Sequence, residues 1–193
     1  TDVKTGKDLL EGTDYTLEYS EDTTNAVEVT VTVKGNGNYA GEFTKTYKIT
    51  PATLTVETPN ASKVYDGQPL TAAGTIEGFV NGETATFTTT GSQTAVGSTK
   101  NTYSLEWNGT AKASNYTVSE TIGTLEVTKK SIVPDGPDTP EDKKTGITVT
   151  DPIDTVYNGT EQKQPVTVTD VKTGKDLLEG TDYTLEYSED TTN

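Results

Sequence analysis

The chain has 193 residues, a length that suggests one or two domains. It is strongly acidic, with 30 Asp and Glu residues against 15 Lys and a formal net charge of −15, and it has no Arg, His, Cys or Met. These absences exclude the usual zinc sites, Cys–His and Ser–His nucleophile pairs and bidentate phosphate contacts, and the charge opposes binding to nucleic acid and anionic membranes. We therefore expect no catalytic residue, no cofactor, no metal, no nucleic-acid partner and no membrane insertion.

Alternating apolar and polar residues predict strands along most of the chain. In chain order, the apolar faces of these strands are Val27/Val29/Val31/Val33, Phe43/Tyr47/Ile49, Leu54/Val56, Ala85/Phe87, Tyr103/Leu105/Trp107, Tyr116/Val118, Leu125/Val127 and Tyr183/Leu185/Tyr187. The turn signals between them are Gly35-Asn36-Gly37, Asp66-Gly67, Asn81-Gly82 and Asn108-Gly109. Helical character is expected only as a single turn near residues 175–180.

Short strands separated by frequent turns predict an all-β fold of small antiparallel β-sandwich domains. The sheets should be mostly antiparallel, because the sequence offers no helices for the crossovers that parallel strands usually need. A domain of this size has a thin core and modest stability.

Residues 131–146, SIVPDGPDTPEDKKTG, differ in composition from the rest of the chain. They contain three Pro, four acidic residues and few apolar side chains, which predicts an extended acidic linker. If it were fully polyproline-like, this segment would span roughly 50 Å.

An internal repeat gives the strongest indication of domain organisation. Residues 169–193 are identical to residues 1–25, at an offset of 168 residues. We interpret 1–50 as the C-terminal part of a domain A whose first strands are missing, and 51–130 as a complete domain B. Residues 131–146 are then the linker, and 147–193 are the N-terminal part of the next domain A, whose last strands are missing.

Two short motifs recur in A and B and are predicted to be structural turns. Each domain opens with Tyr-Asp/Asn-Gly, where Asp or Asn before Gly favours a tight turn that Tyr anchors on the core. Each closes with Asn-Tyr followed by a final strand. The residues are Tyr65, Asp66, Gly67, Tyr157, Asn158 and Gly159 for the first motif, and Asn38, Tyr39, Asn115 and Tyr116 for the second.

These motifs, with EGTDYT and GNGNYAG, resemble the Ig-like repeats of large bacterial surface proteins, often called YDG or MBG-type domains. The resemblance covers both A and B, and it implies tandem Ig-like sandwiches in secreted, cell-wall-attached adhesins. In such proteins the repeats space a distal binding domain from the wall, and the family pattern carries no catalytic residues. A mechanical spacer, and no enzyme, is therefore the expected function.

Two other functions are open from the sequence. The repeats themselves could bind a host glycan or protein through many weak contacts, for which exposed aromatic residues would be the signature. Trp107 alternates with Tyr103 and Leu105, so we expect it in the core instead. The fragment could also associate head to tail, because the end of one chain can supply strands that the start of another lacks.

Two kinds of chemistry are weaker alternatives. Asp135, Asp138, Glu141 and Asp142 could ligate calcium, but their spacing does not follow a calcium-binding loop, and a solvated acidic linker explains them. Lys63 and Asn115 could form an intramolecular isopeptide bond, although solvated surface Lys is the common case.

Overall fold

The structure is a computed structural model that describes residues 1–188. Its strands, in chain order, are β1 Tyr15–Tyr19, β2 Glu28–Gly35, β3 Glu42–Lys48, β4 Ala52–Thr58, β5 Ala61–Val64, β6 Thr75–Glu77, β7 Thr86–Thr89, β8 Gly97–Lys100, β9 Tyr103–Glu106, β10 Tyr116–Ile122, β11 Thr124–Thr128, β12 Ile147–Val149, β13 Val168–Asp170 and β14 Lys175–Asp176. Two short 3-10 turns, Ala113–Asn115 and Glu141–Lys143, are the helical elements of the described part. The predicted all-β class is confirmed.

Backbone contacts divide the chain into two compact units. The first unit comprises Thr1–Pro59, Ala72–Gly91 and Lys100–Gly123. The second comprises Asn60–Thr71, Ser92–Thr99 and Thr124–Asn193. The boundaries predicted for A, B and the linker stay a prediction, and residues 189–193 of the predicted second A lie outside the described residues.

The first unit contains an antiparallel sheet of order β1-β2-β3, a sheet of order β10-β4-β6 and the antiparallel pair β7-β9. Its main core forms around Leu54 and Tyr116, against which Phe79 and Trp107 pack. Alternation explains this core, because in β4 the buried side chains Leu54 and Val56 are separated by exposed threonines.

The second unit contains sheets of order β5-β11-β8 and β12-β13-β14. Leu125 and Val127 of β11 are buried by the same alternation, and so are Ile147 of β12 and Val168 of β13. β12, β13 and β14 pair in antiparallel fashion.

Most pairs are antiparallel, as predicted, but two pairs are parallel. β4 runs parallel to β10 over Ala52↔Tyr116 to Thr58↔Ile122. β5 runs parallel to β11 over Ala61↔Leu125 to Val64↔Thr128. The expectation that parallel pairing needs helical crossovers is wrong here, since in each pair the chain between the two partners consists of strands, loops and the single 3-10 turn Ala113–Asn115.

Three further expectations differ from the structure. Residues 175–180 form no helical turn, because Lys175 and Asp176 pair as β14 with β13. Residues 183–187 do not form the predicted strand, although the identical residues Tyr15–Tyr19 form β1. The linker is not extended, because the Asp135 carboxylate accepts hydrogen bonds from the backbone N–H of Thr145 (2.7 Å) and of Gly146 (2.8 Å), which closes the segment into a loop.

Candidate functional site

The two Tyr-Asp/Asn-Gly motifs form the same local turn. The Oδ1 atom of Asp66 accepts the backbone N–H of Gln68 at 2.9 Å, and Oδ1 of Asn158 accepts that of Thr160 at 3.0 Å. The glycine that follows has a φ of 76° at Gly67 and 77° at Gly159, in the left-handed region that disfavours other residues. An Asx-turn followed by a left-handed glycine is encoded locally, so both copies adopt it.

The two turns differ in how they connect to the rest of the molecule. Tyr65 is half-buried, and its backbone N–H donates to the Thr128 carbonyl at 2.9 Å. The Lys63 ammonium lies 2.6 Å from Asp66 and lowers the pKa of that carboxyl group. Tyr157, in contrast, is 73% exposed, so the expectation that Tyr anchors the turn on the core is wrong at this position.

The two Asn-Tyr segments also have different surroundings. The Asn115 side chain accepts the backbone N–H of Ala26 and donates to the Asn25 side chain, both at 2.9 Å. Asn38 is exposed in a turn, and Tyr39 donates a long hydrogen bond of 3.4 Å to Asp2. Asn115 therefore ties two segments of the first unit together, whereas Asn38 does not.

Tyr116 lies at the centre of an aromatic cluster. Its ring stacks on Trp107 at a centroid distance of 5.9 Å and meets the edge of Phe79 at 5.5 Å. Its hydroxyl donates to Glu83 at 2.6 Å and accepts the backbone N–H of Val80 at 3.2 Å. Trp107 packs against the core, as predicted, so it does not serve as an exposed binding residue.

Asn101 is a buried polar residue that the sequence did not reveal. Its side-chain amide donates to the carbonyls of Pro59 and Ala72, both at 3.1 Å, while its own Oδ1 has no hydrogen-bond partner among residues 1–188. The residue follows a polar stretch with no apolar pattern, so nothing in the sequence marked it as buried.

A buried ion pair in the second unit was likewise not predicted. The Lys130 ammonium lies 2.6 Å from the Asp170 carboxylate, and their side chains are 11% and 4% exposed. Burial acts to raise the pKa of Asp170, but the hydrogen bonds from Lys130 and the backbone of Thr173 outweigh it, so the pKa is lowered. Lys130 follows β11 by two residues, so the pair fastens the start of the predicted linker to the end of β13.

The sheet β1-β2-β3 has one polar face and one apolar face. The apolar face carries Leu17, Val31 and Val33, with Lys45 beside Val31. Three aromatic side chains on this face remain exposed: Tyr19 (53%), Phe43 (56%) and Tyr47 (45%). We call these three residues the exposed aromatic face. Threonines and charged residues occupy the other side of the strands, including the Glu18–Lys34 pair.

Most of the residues proposed for calcium or isopeptide chemistry make hydrogen bonds or ion pairs of their own. Glu141 pairs with Lys144 at 2.6 Å, and no group of three acidic side chains within residues 1–188 is placed to hold a metal ion. Lys63 also donates to the Gln68 carbonyl at 2.6 Å.

Along the described part of the chain, no helix is long and apolar enough to cross a bilayer.

Residues 54–126 match the family model of the MBG domain, YGX type. The predicted resemblance to MBG-type domains is thus confirmed over this range, which lies inside the segment 51–130. No curated protein and no solved structure matches the chain.

Proposed function

We propose that this chain, whose residues 54–126 form an MBG domain of the YGX type, is a non-catalytic repeat module in the stalk of a bacterial cell-surface adhesin. The stalk would be extracellular and attached to the cell wall, and it would project a distal binding domain. Exact repetition of residues 1–25 at 169–193 supports a tandem array, and the net charge of −15 would keep neighbouring repeats soluble and apart.

The observation that carries this proposal is the parallel pairing of an early and a late strand in the MBG domain. β4, near the start of the domain, pairs with β10, near its end, over seven residues in the same direction. Tension that enters before β4 and leaves after β10 slides one strand along the other. All hydrogen bonds between the two strands then resist the force together. Because forced unfolding is governed by the unfolding rate, a geometry in which these bonds must break at once makes forced unfolding slower.

The junction between predicted repeats supports the same function. The Asp135 carboxylate closes a loop within the predicted linker, and the buried Lys130–Asp170 pair joins residues on its two sides. A junction held in this way transmits tension as a compact connection, whereas an extended linker would act as a free hinge.

Single-molecule pulling between engineered cysteines tests the proposal, since the chain has no Cys of its own. Thr53→Cys with Thr121→Cys loads β4 and β10 in shear, because the attachment points lie at opposite ends of the pair. Glu57→Cys with Thr121→Cys is the matched control, because Glu57 and Thr121 are register partners and force there peels the strands apart bond by bond. All three positions are exposed.

We expect a clearly higher rupture force in the shear geometry than in the peeling geometry. Equal forces in both geometries would remove the mechanical basis of the proposal.

The exposed aromatic face favours a second candidate function, in which each repeat binds a host glycan or protein. Beads that display many copies of the whole chain can be tested against glycans, mucin and matrix proteins, because multivalency reveals weak contacts. Saturable binding that Phe43→Ser removes, and that Val133→Ser in the exposed linker leaves intact, would make the repeat itself an adhesin. Absence of binding would support the spacer.

A further inference from the structure

An edge strand of one sheet and an exposed segment that belongs to none of the described strands occur in the same chain. β3 is an end strand of the sheet β1-β2-β3, and all seven of its residues are exposed. Residues 153–156, Ile-Asp-Thr-Val, form no strand in the described structure, and Ile153 and Val156 are 75% and 88% exposed. We propose that residues 153–156 of one copy add as a parallel strand to residues 47–50 of a second copy, which are the last two residues of β3 and the two that follow it.

The MBG domain contains an internal template for this pairing. β5 directly precedes the Tyr65-Asp66-Gly67 turn, and it runs parallel to β11 with Ala61 opposite Leu125 and Val64 opposite Thr128. The backbone N–H of Tyr65 then donates to the Thr128 carbonyl at 2.9 Å. The strand that ends at the Tyr65-Asp66-Gly67 turn therefore pairs with β11, the second strand after the Asn115-Tyr116 segment.

Aligning the two turns gives the register of the proposed strand. Residues 153–156 stand before Tyr157-Asn158-Gly159 as 61–64 stand before Tyr65-Asp66-Gly67, and residues 47–50 correspond to 125–128. In this register Ile153 lies beside Tyr47, and Asp154 lies beside Lys48. Apolar side chains meet on one face and opposite charges meet on the other, and each such neighbouring pair stabilises a sheet.

The exposure of residues on both partners indicates that β3 lacks a neighbouring strand of the kind that residues 153–156 could supply. Leu125 is fully buried beneath the β5–β11 pair, whereas Tyr47, at the corresponding position of β3, is 45% exposed. Tyr65 is half-buried, whereas Tyr157 is 73% exposed. An edge with free N–H and C=O groups and uncovered apolar side chains favours the addition of a strand.

The occupant is a second copy of this chain, because each chain carries both complementary parts and their charges match. The contact is head to tail, so one copy uses its β3 and the other uses its segment 153–156. This inference does not depend on the stalk function, since strand addition concerns the isolated chain in solution.

The whole chain, residues 1–193, is tested by sedimentation velocity or light scattering over a wide concentration range. We expect the average mass to rise with concentration. Ile153→Ser should weaken association, because it removes the apolar contact with Tyr47, whereas Val3→Ser, at a residue that is 92% exposed outside the interface, should not. A constant monomer mass would overturn the proposal. The same result would be seen if residues 153–156 docked on β3 of their own chain, and it would also exclude association between copies.

A charge exchange tests the register. Asp154→Lys alone places two lysines side by side, and Lys48→Asp alone places two aspartates side by side, so each variant should associate about 2- to 10-fold more weakly. A mixture of the two variants restores opposite charges at every contact between unlike variants, and its association should exceed that of either variant alone and approach that of the unmodified chain. Association that ignores both charge changes would refute this register and the proposed interface.

Discussion

Replacing Asp170 by Asn tests the buried ion pair in the second unit. The substitution removes one charge but keeps the size of the side chain, and Asn can still accept the backbone N–H of Lys172, which lies 3.0 Å from Asp170. The substitution therefore mainly removes the negative charge that compensates the Lys130 ammonium, whose nitrogen lies 2.6 Å from the Asp170 carboxylate oxygen.

The magnitude follows from the burial of the two groups. Removing one partner of a buried ion pair costs about 3–5 kcal/mol, because the other charge stays buried without compensation. The Lys130 side chain is 11% exposed, and its flexible stem lets the ammonium move toward water. We therefore expect Asp170→Asn to lower the local free energy of unfolding by about 2–4 kcal/mol.

Hydrogen exchange of β12 measures this loss, because β12 pairs with β13 and its sequence occurs once in the chain. A loss of about 2.8 kcal/mol corresponds to exchange about 100-fold faster. Asp2→Asn is the matched control, since Asp2 has the same 24 neighbours in its repeat but no ion pair within residues 1–188. It should leave β12 unchanged.

The pH dependence gives a second check. Because the pKa of Asp170 is lowered in the folded chain, its carboxylate stabilises the fold above the pKa of the unfolded chain, and this contribution is lost as the pH falls through the folded-state pKa. The difference between the unmodified chain and Asp170→Asn should therefore shrink in acid. If the two Asn variants behaved alike at neutral pH, the ion pair would have no role in stability.

Three further substitutions probe the first unit. Tyr116→Phe should destabilise the aromatic core by about 1.5–3 kcal/mol, because it removes a hydrogen bond to the Glu83 carboxylate, and urea unfolding followed by the fluorescence of the single Trp measures this loss. The hydrogen bond to Glu120, together with burial, raises the pKa of Tyr103 to about 12. Between about pH 10 and pH 12 this tyrosine ionises only in the unfolded chain, so the stability of the fold should fall as the pH rises. Tyr103→Phe should remove this decline in alkaline melting curves. Gly123→Ala should disturb native packing against Pro59 in the first unit, because its methyl group would lie 2.3 Å from the Pro59 carbonyl oxygen. Circular dichroism melting would show the loss.

Each of these variants has a control in the same chain. Tyr19→Phe changes an exposed tyrosine without a hydrogen bond and should be neutral, so a similar loss in both Tyr→Phe variants would count against the Glu83 contact. Gly136→Ala adds a methyl group whose nearest neighbour lies 3.7 Å away, and it should melt like the unmodified chain. If Tyr103→Phe still lost stability at alkaline pH as the unmodified chain does, the loss would come from groups other than Tyr103.

The sequence predicted the features that depend on local pattern. Alternation in β4 and β11 identified the buried pairs Leu54/Val56 and Leu125/Val127, and Asp or Asn before Gly identified both Asx-turns. It did not predict Asn101 or the Lys130–Asp170 pair, because each depends on segments far apart in the chain. The parallel pairing of β4 with β10 was also missed, since nothing local in a strand sets the direction of its neighbour.

The repeated 25 residues separate the two kinds of information most directly. In both copies the backbone N–H of Leu10 or Leu178 donates to the carboxylate four residues on, Asp14 at 3.0 Å or Asp182 at 2.9 Å. The glycine within this turn has a φ of 81° at Gly12 and 79° at Gly180. The sequence by itself determines this turn, because its hydrogen bonds and its glycine lie within a few residues.

The five residues that follow the turn adopt two conformations from one sequence. Tyr15–Tyr19 form β1 because β2 supplies a partner from Tyr15↔Gly35 to Tyr19↔Val31. Residues 183–187, identical in sequence, have no such partner in the described structure, and the Tyr183 and Tyr187 hydroxyls donate instead to the carbonyls of Val166 and Gln164. Tertiary structure alone decided this difference, because the backbone hydrogen bonds of a strand are made by another segment of the chain.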